Sequence, residues 1–293
     1  MEAEKSKKLI EPVLSDDAFL DDVRRVNQRT GNAFHLWWLG QSGFLLQWRG
    51  RHLLFDPYLS DSLTVKYETT DKPHVRMTRR VIAPERLDFI DVVTSSHNHT
   101  DHLDGETLRP LLAANKNLEF IIPSANREFV AERVGRNVDF AIGLNDGESV
   151  EINEFTITGV AAAHESLEQD ELGRHKFLNY LVSFGPWTVY HSSDCVPYDG
   201  LPERINELRG GKMINVALLP INGRKPERRV TGNFWGDEAA RLAAAVGAET
   251  VIPMHYEMFE FNTETPDLFA SECRKLEQNY HILRGGGRFS RTE

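Results

Sequence analysis

Between residues 34 and 56 the chain reads FHLWWLG, GFLLQW and RHLLFD, short apolar runs parted only by Gln41-Ser42 and Arg49-Gly50. Runs this brief, rich in aromatic and aliphatic side chains and bounded by turn formers, predict a meander of strands with Arg49-Gly50 as its hairpin turn. Asp56-Pro57 ends the third run. From Asp91 onward strand patterns alternate with helix patterns. DVVTSS is a strand, and GETLRPLLAANKN a helix with Asp104 as its N-cap and Pro110 in its body. EFIIP is a strand, and SANREFVAERVG a helix capped by Ser124 and stopped by Gly135. GESVEINEFTITGVAAAH suggests two strands paired around Asn153-Glu154, and FLNYLVSF with WTVYHSS another pair across Gly185-Pro186. INVALLP and ETVIPMH are strands, DEAARLAAAVG and PDLFASECRKLEQN helices, and HILRGGGRF closes the chain.

A meander followed by such alternation predicts two mixed sheets pressed together with helices outside, an α/β (α+β) class. Residues 1–30 are highly charged, with Phe19, Leu20, Val23 and Val26 at helical spacing. They read as a leader helix packed on the body, with a partly disordered tail as the alternative. Residues 31–293 contain no internal linker and no repeat of fixed period, and are read as a single domain. Residues 60–88 have no clean period and carry Arg76, Arg79 and Arg80, a long loop of the kind that serves as a lid or binding element.

Composition limits the functions open to such a fold. The 293 residues are 40% hydrophobic and 27% charged, which suits a globular protein with a sizeable core. The formal net charge is −10, from 44 acidic and 34 basic side chains, which argues against a nucleic-acid partner. Two distant cysteines, Cys195 and Cys273, build neither a disulfide framework nor a paired-cysteine zinc site. No apolar run suits a signal peptide or a membrane span. The expectation is a cytoplasmic protein with no membrane partner.

Residues 95–105, SSHNHTDHLDG, hold three of the chain's 11 histidines and an aspartate between them. A lone histidine is ordinarily packed or solvated, and His35, His52, His74, His175 and His281 are read that way. His97, His99, Asp101 and His102 are different, because imidazole and carboxylate are the donors that zinc, iron and manganese accept. In a turn after a strand, His97 and His99 can face one point while Asp101 and His102 face another, so one turn can seed two metal positions. Four residues cannot close two coordination spheres, so further ligands are expected at other strand ends. His164 follows TITGVAAA, Asp194 follows TVYHSS and His255 follows TVIPM. A carboxylate at Asp194 could bridge two cations, an arrangement that serves hydrolysis.

His97-x-His99-x-Asp101-His102, followed in order by His164, Asp194 and His255, resembles the metallo-β-lactamase superfamily over nearly the whole chain. The resemblance implies an αββα four-layer sandwich with a dinuclear site at one edge of the sheets. It implies one metal on His97, His99 and His164, a second on Asp101, His102 and His255, and Asp194 between them. Asp56 matches a position where the superfamily keeps a supporting aspartate; a plain turn residue before proline is the alternative. The cofactors expected are two divalent ions, zinc or manganese, with iron also suited to such donors.

Within the superfamily, the inserted nuclease domain, the helical glyoxalase II substrate domain and the flavin domain of the diiron branch have no room here. WWLGQSGFLL, NYLVSF…TVYHSSD and VIPMHYEMF resemble the L-ascorbate 6-phosphate lactonase family, although this chain is shorter at its C-terminal end and carries His164 where those lactonases have a carboxylate. The function so implied is hydrolysis of a lactone or related ester, including a phosphorylated sugar lactone, by a metal-bridging hydroxide. Asp101 and Asp194 are the expected catalytic carboxylates. The alternative is a metal-dependent phosphodiesterase like N-acylphosphatidylethanolamine phospholipase D, and a non-enzymatic metal sensor is a further class. The substrate is expected to be an anionic or phosphorylated small molecule, and the resemblance suggests self-association into homo-oligomers. In PINGRKPERRVTGN, Asn222, Arg224, Arg228 and Arg229 form a candidate phosphate cradle, with a solvated basic loop as the alternative. Tyr256 and Asn222 are candidates to polarise a substrate carbonyl, and Cys195 is read as packing.

Overall fold

The computed structural model describes residues 8–27 and 31–293; residues 1–7 and 28–30 of the expected leader lie outside the described residues. The first sheet begins with the meander β1 (Phe34–Gly40), β2 (Gly43–Trp48) and β3 (Arg51–Phe55). It continues through β4 (Val92–Thr94), β5 (Glu119–Pro123) and β6 (Ile142–Leu144), three strands added in parallel. The second sheet contains β7 (Ser149–Ile152), β8 (Phe155–Ala161), β9 (Leu178–Phe184), β10 (Trp187–His191), β11 (Val216–Pro220) and β12 (Thr250–Met254). β13 (Arg288–Arg291) returns to the first sheet beside β1, a pairing that the glycine-rich HILRGGGRF did not announce.

Alternation within the strands explains why both faces of the first sheet are covered. Leu36 and Trp38, Phe44 and Leu46, and Leu53 and Phe55 face the second sheet. Trp37 and Leu39, Leu45, and Leu54 face the opposite way, because successive side chains on a strand leave on opposite sides. On that outer face lie the helices α1 (Asp16–Asn27), α3 (Gly105–Ala114) and α4 (Arg127–Val134), through Phe19, Leu20, Leu108, Leu111 and Val130. The helices α5 (Leu201–Leu208), α6 (Gly236–Ala245) and α7 (Asp267–Lys275) contribute Leu201, Ile205, Leu242, Ala243 and Phe269 to the core that holds the second sheet. The layers are therefore helix, sheet, sheet and helix.

Local signals fare unevenly. Asp104 caps α3 by accepting from the Glu106 and Thr107 amides, and Gly135 ends α4 at a φ of 69°. Ser124 does not cap α4. It opens a 3-10 turn, Ser124–Asn126, and the helix starts after Asn126. The segment 60–88 contains the short helix α2 (Ser62–Tyr67) followed by irregular chain.

β3 also carries a buried imidazole that links stability to pH. His52 packs edge-on against Phe89, with ring centroids 4.8 Å apart, and its Nε2 has no hydrogen-bond partner among the described residues. Burial holds its pKa at about 4, although the Asp91 carboxylate acts the other way. An unfolded histidine titrates near 6.5. The neutral ring therefore stabilises the fold above that pH, and the contribution, on the order of 3 kcal/mol, is lost as pH falls toward 4. His52→Gln is expected to flatten the stability–pH curve between about 6.5 and 4 in urea titrations. A curve parallel to the parent's would show that His52 does not govern that limb.

Candidate metal centre

Every ligand-type residue singled out in the sequence sits just beyond the C-terminal end of a strand. Asp56 follows β3, the turn His97–His102 follows β4, His164 follows β8, Asp194 follows β10 and His255 follows β12. In open α/β sheets such strand ends share one edge, where ligands bind. The structure brings the seven expected residues together there as two groups. His97, His99 and His164 form one, and Asp101, His102, Asp194 and His255 the other; within each, the ligand-type atoms lie within 4.8 Å of one another. Asp194 also spans the gap between the groups. Its Oδ1 lies 3.2 Å from His102 Nε2, and its Oδ2 lies 3.3 Å from His255 Nε2 and 3.5 Å from His164 Nε2.

The rings are aimed from behind. His164 donates from Nδ1 to the Gly232 carbonyl at 3.0 Å, which leaves Nε2 facing inward. His102 donates from Nδ1 to Asp56 Oδ2 at 2.8 Å. That carboxylate is fully buried and also accepts from the Thr94, Ser96 and Ser193 hydroxyls. Asp56 thus stands behind His102 as well as in the turn before Pro57. A carboxylate behind an imidazole fixes its tautomer and raises its basicity toward a metal.

The donor set suits cations. His97 Nε2 is buried with no hydrogen-bond partner among the described residues, and His102 Nε2 approaches Asp194 Oδ1 without the alignment of a hydrogen bond. Nitrogen and oxygen donors of this kind accept zinc, manganese or iron. The two groups differ electrostatically. Burial holds His97 well below its ordinary pKa and His164 at about 4, so these two imidazoles are neutral and each has a lone pair to offer. Burial also works against charge on His255, but Asp194 and Asp101 lift its pKa to about 9, and the same carboxylates raise His102 well above its usual value. A cation entering the second group displaces protons.

Above both groups opens a cavity of 410 Å³. One wall is apolar and aromatic, built by Leu63 and Tyr67 of α2 together with Phe259 and Phe261. His74, expected to be a packing residue, stacks on Tyr67 at 4.1 Å and lines this wall too. Asn98, Thr100 and Arg133 also line the cavity.

The expected substrate contacts do not line this cavity. Arg224 makes a bidentate pair with Glu238, both distances 2.6 Å. Arg228 is buried against the Asn222 and Thr263 carbonyls and Glu264. Arg229 pairs with Asp71. Asn222 bonds Asn262 and Asn233 at 3.0 Å each, and the Tyr256 hydroxyl donates to the Leu283 carbonyl. Arg224, Arg228 and Arg229 are thus each paired with an acid from another segment, Glu238, Glu264 or Asp71, and none of the three lines the cavity. Sequence reasoning missed Gln41, Arg133 and Thr231, which do line the cavity.

The model of the beta-lactamase superfamily domain matches residues 51–256, a span that contains all seven converging residues. The chain belongs to the beta-lactamase superfamily. Relatives within it include a UPF0173 metal-dependent hydrolase of Methanosphaerula palustris, 31% identical over 67% of this chain and 83% of that protein. Another, from Rubrobacter xylanophilus, is 27% identical over 85% of this chain and 93% of its own length. Among solved structures of the superfamily fold, Igni18, a metallo hydrolase of Ignicoccus hospitalis, superposes with a TM-score of 0.63 at 18% identity. The alignment covers 89% of this chain and 99% of that one. The four-layer sandwich expected from the sequence is therefore the superfamily fold.

Proposed function

We propose that this superfamily member is a metal-dependent hydrolase that holds two divalent cations and opens small lactones or related esters. One observation carries the reading: the Asp194 carboxylate lies within 3.5 Å of imidazoles from both ligand groups. His97, His99 and His164 would hold one ion, Asp101, His102 and His255 the other, and Asp194 would join them. Bound there, such a pair lowers the pKa of water, polarises a carbonyl and stabilises developing negative charge. The chain supplies orientation. Gly232 and Asp56 fix two imidazoles, and the aromatic wall keeps bulk water from one side of the substrate. Burial opposes ionisation of Asp101, yet His102 and His255 hold its carboxyl well below the usual range. It is a carboxylate at neutral pH, so it would take up the proton lost by the attacking water and pass that proton to the leaving alkoxide.

An anionic substrate is favoured by Arg133. Arg133 lines the cavity, and its guanidinium donates to neutral oxygens, the Leu103 carbonyl at 3.0 Å and the Thr100 hydroxyl at 3.4 Å. No carboxylate lies within 4.0 Å of it among the described residues. A charge-assisted hydrogen bond to a bound anion is worth roughly 1.5–3 kcal/mol, or about tenfold or more in affinity. Arg133→Gln is therefore expected to raise KM for 4-nitrophenyl hemisuccinate at least about tenfold more than for 4-nitrophenyl butyrate. Equal changes for the two esters would remove this role.

A phosphodiester substrate is the second reading, favoured by the apolar wall of Leu63, Tyr67, Phe259 and Phe261, which would suit a lipid-like group. Protein stripped by chelator and reloaded with zinc, manganese or iron, then offered lactone, ester and phosphodiester panels, decides between them. Turnover of lactones or esters supports the first reading, and turnover of phosphodiesters alone supports the second. No turnover with any metal overturns both.

A further inference from the structure

Gln41 occupies the two-residue turn between β1 and β2, with only 1% of its surface exposed. Its φ is +51°, a left-handed conformation that costs a residue other than glycine about 1 kcal/mol or more and that collects at functional sites. The backbone is held there from two sides, because the Gln41 carbonyl accepts from the His255 amide at 3.0 Å and from Trp38 Nε1 at 2.9 Å. The side chain consequently points into the second ligand group. Its terminal carboxamide atom, Nε2, lies 2.8 Å from Asp101 Oδ2 and 3.0 Å from His255 Nε2. Those separations are shorter than His102–Asp194 at 3.2 Å and His102–Asp101 at 3.8 Å within a group whose ligand-type atoms all lie within 4.8 Å of one another. The carboxamide is therefore placed as a member of that group. Its oxygen, Oε1, is buried with no partner among the described residues.

An amide N–H₂ carries partial positive charge and cannot sit beside a cation. The carboxamide oxygen can, since hard cations accept Gln and Asn carbonyl oxygens. The two ends of a carboxamide are nearly identical in shape, so a half-turn about its last bond exchanges them without disturbing the packing. We propose that Gln41 is a further oxygen ligand, through Oε1, of the cation held by Asp101, His102, Asp194 and His255. The proposal rests on the two-cation reading above. It gives the second site one more neutral donor than the histidine–aspartate motif alone provides, and assigns a purpose to a strained, buried glutamine in a hairpin turn.

The test is equilibrium competition between the metal-loaded protein and a chelator for Mn²⁺, together with visible spectra of the Co²⁺-loaded protein. Gln41→Leu is expected to weaken one of the two ions by roughly 10- to 100-fold, as losses around a metal site typically do. It should also intensify the cobalt d–d bands, because four-coordinate cobalt absorbs more strongly than five-coordinate cobalt. Gln41→Glu, which places an anionic oxygen at the same reach, is expected to bind Mn²⁺ at least as tightly as the parent and to keep the weaker bands. If Gln41 instead only held Asp101 by donating to it, the glutamate would repel that carboxylate and weaken binding. Gln41→Glu binding no more tightly than Gln41→Leu therefore overturns the proposal, as does Gln41→Leu matching the parent. Parent protein that binds fewer than two ions overturns the two-cation reading instead. The affinity of the other ion, on His97, His99 and His164, reports whether a variant has kept its fold.

Discussion

Asp194→Asn protein is expected to fold, to hold neither cation tightly after dialysis, and to lose ester turnover by roughly 10³-fold or more. Asp194 follows β10 and reaches His102 and His255 on one side and His164 on the other. Burial disfavours its charge, yet His255 and His102 keep its carboxyl well below the usual range, so it is ionised at any working pH. Asparagine preserves the shape and one oxygen but removes the negative charge that lies between the two ligand groups. Metal-assisted stabilisation of transition-state charge is worth several kcal/mol, and each 1.36 kcal/mol is a factor of ten in rate. Elemental analysis of dialysed protein and turnover of the preferred ester are the measurements. Two retained ions with unchanged turnover would show that Asp194 does not join the groups.

The sequence made this cluster legible because each ligand-type residue is tied to a local pattern. A strand run that ends in histidine or aspartate places that residue at a sheet edge, and parallel strands send their C-terminal ends to the same edge. His164, Asp194 and His255 could thus be matched to the histidine turn from positions 62 or more residues away. The arginines of 224–229 could not be placed by the same logic. Whether a loop cation faces a ligand or an acid depends on partners that only the tertiary fold supplies: Glu238 lies 14 residues from Arg224, Glu264 lies 36 from Arg228 and Asp71 lies 158 from Arg229. Arg133 escaped notice for the converse reason. On α4 it reads as an ordinary solvent-facing arginine, and only the tertiary fold places it beside the cavity.

Backbone strain was equally invisible in one dimension. Gln41, Asp56, Ser193 and His255 all have positive φ, between 35° and 63°, and all four lie in or beside the ligand groups. None is glycine, so nothing in their identities announced the conformation. Each sits where the chain leaves a strand and must turn sharply to aim a side chain back over the sheet edge. Removing a partner that holds such a turn should therefore cost both stability and metal affinity, which Asp56 allows to be measured separately.

Asp56→Asn is the informative change, because asparagine tolerates the left-handed region better than most residues and adds no strain to the turn before Pro57. What it removes is the buried carboxylate behind His102. Burial raises the pKa of Asp56, but hydrogen bonding and charge from His102 outweigh this and bring it below the ordinary value, so the native partner of the imidazole is an anion. With asparagine, the amide N–H₂ turns a donor either toward the Thr94 hydroxyl, which bonds Oδ1, or toward the His102 Nδ1–H and the Ser96 and Ser193 hydroxyls, which share Oδ2. Leaving buried donors unsatisfied costs about 1–3 kcal/mol each, so a loss of roughly 2–4 kcal/mol in urea unfolding of the metal-free protein is expected. In chelator competition, the ion on Asp101, His102, Asp194 and His255 should weaken about 10- to 100-fold, while the ion on His97, His99 and His164 should change by less than about threefold. Equal weakening of both ions would mean that Asp56 shapes the whole edge and does not orient His102 in particular. Unchanged affinity for both would reduce it to a turn residue.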